Sequence, residues 1–154
     1  MNAQVWIAVL IGLAATINDL ARREISNWIP AAALVCGTAW QMSQRGWWGA
    51  LNALAGAAAG FAVFLVFYLL GGMGGGDVKL MSGFGALLGP GRLVEAALWT
   101  AGVGGVLALA TLGFRALRRS WVGVRSGTAQ AASDSIPYAP AITLGVWLSL
   151  VPKG

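Results

Sequence analysis

Histidine is absent from all 154 residues. Its absence removes the base of Ser-His and Cys-His nucleophile pairs and rules out the zinc-binding HExxH helix. Cysteine occurs once, as Cys36, so no intrachain disulfide can form and the compartment cannot be read from pairing. Charge is scarce: Asp, Glu, Lys and Arg make up 10% of the chain, where a soluble domain carries about 25%. Ten basic residues against five acidic ones give a net charge of +5. The basic residues cluster at the ends of apolar runs, which suits topology signals and anionic head groups. No DNA- or RNA-binding module is visible, so no nucleic-acid partner is expected. Any chemistry must come from carboxylates, amines, hydroxyls or the backbone.

What the chain has in abundance is apolar surface. It is 58% hydrophobic and holds 23 glycines. Six apolar segments stand out: Ala3 to Ala21, Trp28 to Met42, Trp48 to Leu70, Val78 to Leu88, Leu93 to Phe114 and Ile136 to Val151. A membrane-spanning helix needs about 20 residues. The first, third and fifth meet that length; the second and last are marginal, and the fourth is short enough to need its flanks, a tilt or a re-entrant path. The expected fold is all-α: a polytopic membrane bundle of about six segments forming one domain over 1–154, with a polar loop at about 115–135. The first half of that loop, from Arg115 to Trp121, could lie as an interfacial helix, with a solvated loop as the alternative. The first segment reads as a retained helix, because its basic residues follow it, whereas a cleaved signal has a basic start.

With six spans, one side holds Arg22, Arg23, Lys79, Arg115, Arg118, Arg119 and Arg125, and the other Arg45, Arg92 and Lys153. Basic residues accumulate on the cytoplasmic side, so the first group faces the cytoplasm and both termini lie outside. Gly56 and Gly60, and likewise Gly85 and Gly89, are four residues apart, a spacing that lets helix backbones approach closely in lipid. Packing within one bundle is the expected use; oligomeric state is not legible. Trp28, Trp47, Trp48 and Trp121 fall near segment ends, where an indole suits the head-group layer.

Of the five carboxylates, Glu95 falls near an outer segment end, Asp134 in the polar loop and Glu24 in a turn beside Arg22 and Arg23. Asp19 and Asp77 differ from these, because each sits at the boundary of an apolar helix on the same expected rim. A carboxylate at bilayer depth costs a few kcal/mol or more, which makes it a functional candidate. Asp77 closes the run Gly71-Gly72-Met73-Gly74-Gly75-Gly76 and precedes Val78 and Lys79. The run is neither a Walker A loop nor a dinucleotide fingerprint, since Lys79 lacks its Gly and Ser/Thr neighbours and the sixth position from Gly72 is Asp77. Taken alone, Asp77 is as well explained as a helix N-cap as by chemistry. As a pair, two carboxylates could hold one proton, activate water with one oxygen and protonate a leaving amine with another. Such chemistry needs no histidine, metal or cofactor.

Asp19-Leu20-Ala21-Arg22-Arg23-Glu24-Ile25-Ser26-Asn27-Trp28 resembles the first aspartate motif of prepilin peptidases, particularly the short form of Tad/Flp pilus systems. Gly74-Gly75-Gly76-Asp77-Val78-Lys79-Leu80 resembles their Gly-x-Gly-Asp motif with its following lysine, and Ile136-Pro137-Tyr138-Ala139-Pro140-Ala141 the opening of their last helix. The resemblance implies that Asp19 and Asp77 are the catalytic pair of an aspartic endopeptidase. It would remove the short basic leader of prepilins or pseudopilins after glycine, at the cytoplasmic face of a bacterial inner membrane. Gly74 and Gly76 would give backbone freedom for substrate entry. Lys79 would stabilise negative charge or meet an acidic substrate residue, with a helix-ending snorkelled lysine as the alternative. Asn27 would bond within the first turn. Ser26 stands where the family usually has proline, and the large cytoplasmic insertion of the long bifunctional members is missing. No S-adenosylmethionine site is legible, so the expectation stops at cleavage. The rival from another class is a small transporter or proton conduit using Asp19 and Asp77.

Overall fold

A computed structural model describes residues 3–22, 24–71, 73–121 and 138–151. Arg23, Arg125, Asp134, Lys153, Ile136 and Pro137, together with the polar loop from 122 onward, lie outside the described residues, as do the side chains of Arg115, Arg118 and Arg119. Four helices are described: α1 (Ala3–Arg22), α2 (Trp28–Leu69), α3 (Gly75–Trp121) and α4 (Ala139–Leu150). Arg115 to Trp121 continue α3 and do not form a separate helix.

The two long helices are each broken once. A straight helix of 42 residues such as α2 would run about 63 Å, twice the roughly 30 Å hydrocarbon layer. Gly46 interrupts it with φ 58° and ψ −140°, a left-handed backbone that a side chain would oppose. The chain then reverses: a Cβ on Gly49 would strike the Gln41 carbonyl oxygen, although residues eight apart in a continuous helix are separated by about 12 Å. Gly89 (φ 74°, ψ 167°) and Pro90 break α3 in the same way. Pro90 has no N–H, so the helical hydrogen-bond ladder cannot run through it. The side-chain amides of Gln4 and Gln41 both donate to the Leu87 carbonyl at this break, at 2.8 and 3.4 Å.

These breaks divide the described helices into six arms, close to the six apolar segments of the sequence. The short fourth segment is the first arm of α3, and the fifth segment follows it beyond Gly89. Among the described residues three helices are long and apolar enough to cross a membrane, namely Ala3–Arg22, Trp28–Leu69 and Gly75–Thr111, while α4 is a shorter apolar helix. The protein is a multi-span helical membrane protein.

Pairwise contacts give the arm directions. Gly56 meets Gly85, and Gly60 meets Met81, so residues 47–69 run antiparallel to the first arm of α3. Gly37 faces Leu87 and Gly83 faces Pro30, so residues 28–45 run parallel to that arm. Gly145 packs on Ala96 and Thr100, and Gly104 lies near Tyr138, which sets α4 antiparallel to the second arm of α3. Trp147 donates to the Ala8 carbonyl and Thr143 to that of Gly12, so α4 is also antiparallel to α1. Both four-residue glycine pairs thus serve packing within the chain.

The core of the bundle is built around Phe84, Leu80, Met81, Leu87 and Ile142, whereas α1 turns small residues inward and large apolar ones outward. On α1 the buried stripe is Ala8, Gly12, Ala15 and Asp19, while Trp6, Leu10, Leu13, Ile17 and Leu20 are exposed. Lipid tails solvate large apolar side chains, and close backbone approach is what drives helix association there. Trp28, Trp47 and Trp48 are exposed at helix starts and at the Gly46 break, as their sequence positions suggest.

Candidate active site

Asp19 lies in the last turn of α1, at the end of its stripe of small residues, and is buried. Its Oδ2 accepts the Ala139 backbone N–H at 3.2 Å. Ala139 is the first residue of α4, after Tyr138 at the N-cap and with Pro140 inside the first turn. The first N–H groups of a helix have no intrahelical acceptor and carry the positive end of its dipole. The start of α4 therefore supplies Asp19 with a partner suited to a carboxylate. This contact connects the first and third motifs of the sequence through a backbone atom, which no side-chain pattern reveals.

Asp77 lies in the first turn of α3 and is equally buried. Its Oδ2 accepts the Gly74 N–H at 3.2 Å, while its own N–H donates to the Gly74 carbonyl at 3.1 Å. A side chain reaching back three residues in this way is half of a capping box. Capping and burial thus coexist in Asp77. Gly74 is exposed, whereas Gly76 packs on the Ile25 side chain, with a Cβ there falling 3.0 Å from that residue. Gly76 is therefore a packing position between the α1–α2 turn and α3. The two aspartates, from different helices, lie at the same end of the bundle.

Asn27 and Lys79 form a separate contact. Lys79 Nζ donates to Asn27 Oδ1 at 2.9 Å, and both residues are exposed. Asn27 stands at the N-cap position of α2 without capping it; its side chain bridges to α3, where the sequence suggested a bond within its own turn. Lys79 follows Asp77 by two residues, about 200° around a helix, so its ammonium is turned away from the carboxylates. Ser26 donates its hydroxyl to Asn18 Oδ1 at 3.4 Å.

The arm directions put Asp19, Arg22, Asp77 and Lys79 at one end and Gln4, Gln41, Arg45, Gly89 and Arg92 at the other. Among the described residues no cluster of three or more His, Cys, Asp or Glu could hold a metal ion.

Residues 6–109 match the type IV leader peptidase family. The chain belongs to that family. As a type IV leader peptidase family member it has a protease-like enzymatic activity at the family level. The match contains Asp19, Asn27, Gly74, Gly76, Asp77 and Lys79, and ends before α4. No curated protein and no solved structure matches the chain.

Proposed function

We propose that the protein is an intramembrane aspartyl endopeptidase of the Tad/Flp type that removes the short basic leader of prepilins after glycine. The reading rests on one observation above the rest. Asp19 and Asp77 come from different helices, are both buried at the same end of a membrane bundle, and lie in a chain of the leader peptidase family. In this reading one aspartate takes a proton from water as that water attacks the scissile carbonyl, and the other protonates the leaving amine. The Ala139 N–H orients Asp19 and the Gly74 N–H orients Asp77. Gly74 leaves open backbone beside Asp77, and the Asn27–Lys79 bond fixes the α1–α2 turn against α3.

The end bearing the aspartates is proposed to face the cytoplasm of a bacterial inner membrane. Arg22 and Lys79 lie there, and α3 leads back toward it with Arg115, Arg118 and Arg119. In this reading the basic leaders of prepilins and pseudopilins would be met on that side. The test pairs membranes containing this chain with a panel of prepilins, a Flp-type one included, followed by sequencing of the new N-terminus. Cleavage after the leader glycine of the Flp-type substrate is the expected result. Failure with every prepilin, by protein shown to be folded, would refute the reading and raise the proton-conduit alternative.

A further inference from the structure

On the outer surface of the bundle, a cavity of about 350 Å³ opens between both arms of α2 and the first arm of α3. Its polar end is Lys79 and Asn27, and its walls include Pro30, Leu34, Phe61 and Gly83. We propose that this groove seats an anionic phospholipid, with the phosphate at Lys79 and an acyl chain along the apolar walls.

Four observations carry the proposal. First, the polar end coincides with the start of α2 and α3, where membrane helices meet the head-group layer, and the walls continue into the spans. Second, an ammonium has three donors, of which one is used on the neutral Asn27 amide oxygen, so the end presents positive charge and N–H groups suited to phosphate. Basic pockets between membrane helices are suited to anionic head groups for this reason. Third, the remaining wall is apolar in effect: Ser82 directs its hydroxyl to the Ala57 carbonyl at 3.0 Å, and Gly83 has no side chain to fill the space. Phe61 and Leu34 are 43% and 37% exposed, so the groove opens sideways to whatever surrounds the bundle. Fourth, Lys79, Ser82 and Gly83 share the face of α3 roughly opposite Asp77. A peptide lying in the groove would not present its backbone to the two aspartates, which favours lipid as the occupant.

The test is native mass spectrometry on the full chain extracted from membranes of equal phosphatidylglycerol and phosphatidylethanolamine. Wild type should retain phosphatidylglycerol preferentially. Lys79→Gln should lower that preference about fivefold, the size expected for one cation at a lipid surface, and Lys79→Arg should restore it. Ala31→Trp, which fills the groove from an exposed position, should abolish retention of both lipids without altering thermal stability. Absence of a head-group preference in wild type, or a preference unchanged in Lys79→Gln, would overturn the proposal. A photoreactive residue at Phe61 should cross-link to lipid in intact membranes; cross-linking to a polypeptide would give the groove a different occupant and equally overturn it. None of these readouts needs turnover, so they stand or fall apart from the proposed peptidase activity.

Discussion

At the scale of single residues, the proposed cleavage needs Asp19 and Asp77 to act together. Asparagine keeps the size of either side chain and removes the proton exchange, so each Asp→Asn change should lower cleavage by at least about 10²–10⁴-fold, the usual contribution of a general acid or base. Insertion and thermal stability should be retained, which circular dichroism on purified protein would check. Ser26→Pro should change cleavage less than about threefold. Its hydroxyl makes one long bond to Asn18, and the Ser26 carbonyl that accepts the Ile29 N–H would persist; one such side-chain bond is worth only about 0.5–1.5 kcal/mol. A large loss of cleavage in this variant would mean that the α1–α2 turn is more tightly constrained than its contacts suggest. The aspartates were legible because carboxylates at helix ends are rare in so apolar a chain. Their partners were not. Ala139 and Gly74 contribute backbone N–H groups, and nothing in a residue's identity marks its amide as a donor. Lys79 and Asn27 were legible as individuals, yet their mutual bond depends on how two helix starts meet.

At the scale of elements, the breaks at Gly46 and Gly89 make the arms. The apolar runs ending at Met42 and Leu88 and resuming at Trp48 and Leu93 left a gap in the sequence at each break. What was not legible is how the second break is held. Gln4 and Gln41, far apart in sequence, both donate to the Leu87 carbonyl, and Asn52 lies beside Gly89. Interhelical hydrogen bonds in membranes contribute about 0.6–1.7 kcal/mol each, so the Gln4→Leu/Gln41→Leu double variant should lose roughly 1–3 kcal/mol in an unfolding titration and each single variant about half. A change indistinguishable from zero in the double variant would remove these amides from the account of the break. The close approach of α2 and α3 makes a stronger demand. A side chain at Gly56 would meet the Gly85 carbonyl, so Gly56→Leu should destabilise by at least about 1–3 kcal/mol, as overpacking of a tight interface does. Wild-type stability in that variant would show that the two arms do not pack at this distance.

At the scale of the whole molecule, alternation of the arms collects the described residues of the three sequence motifs at one end, although they draw on all four helices. The close glycine contacts between α2 and α3 were partly visible in the sequence as Gly-x-x-x-Gly spacings, and α1 adds a buried stripe of small residues from Ala8 through Gly12 and Ala15 to Asp19. The exact pairing of arms was not visible, because apolar helices in lipid offer no polar face to orient them. Arg22 and Arg45 lie at opposite ends of the bundle. In a Cys36→Ala background, a cysteine at Arg45 should react with a membrane-impermeant maleimide added to intact cells, and one at Arg22 only after permeabilisation. The reverse pattern would place the aspartates on the wrong side for a cytoplasmic leader. The most direct measurement is cleavage of a Flp-type prepilin in membranes by wild type, Asp19→Asn and Asp77→Asn side by side. Leader removal by wild type alone is expected, whereas processing retained by either variant would rule out the aspartate pair.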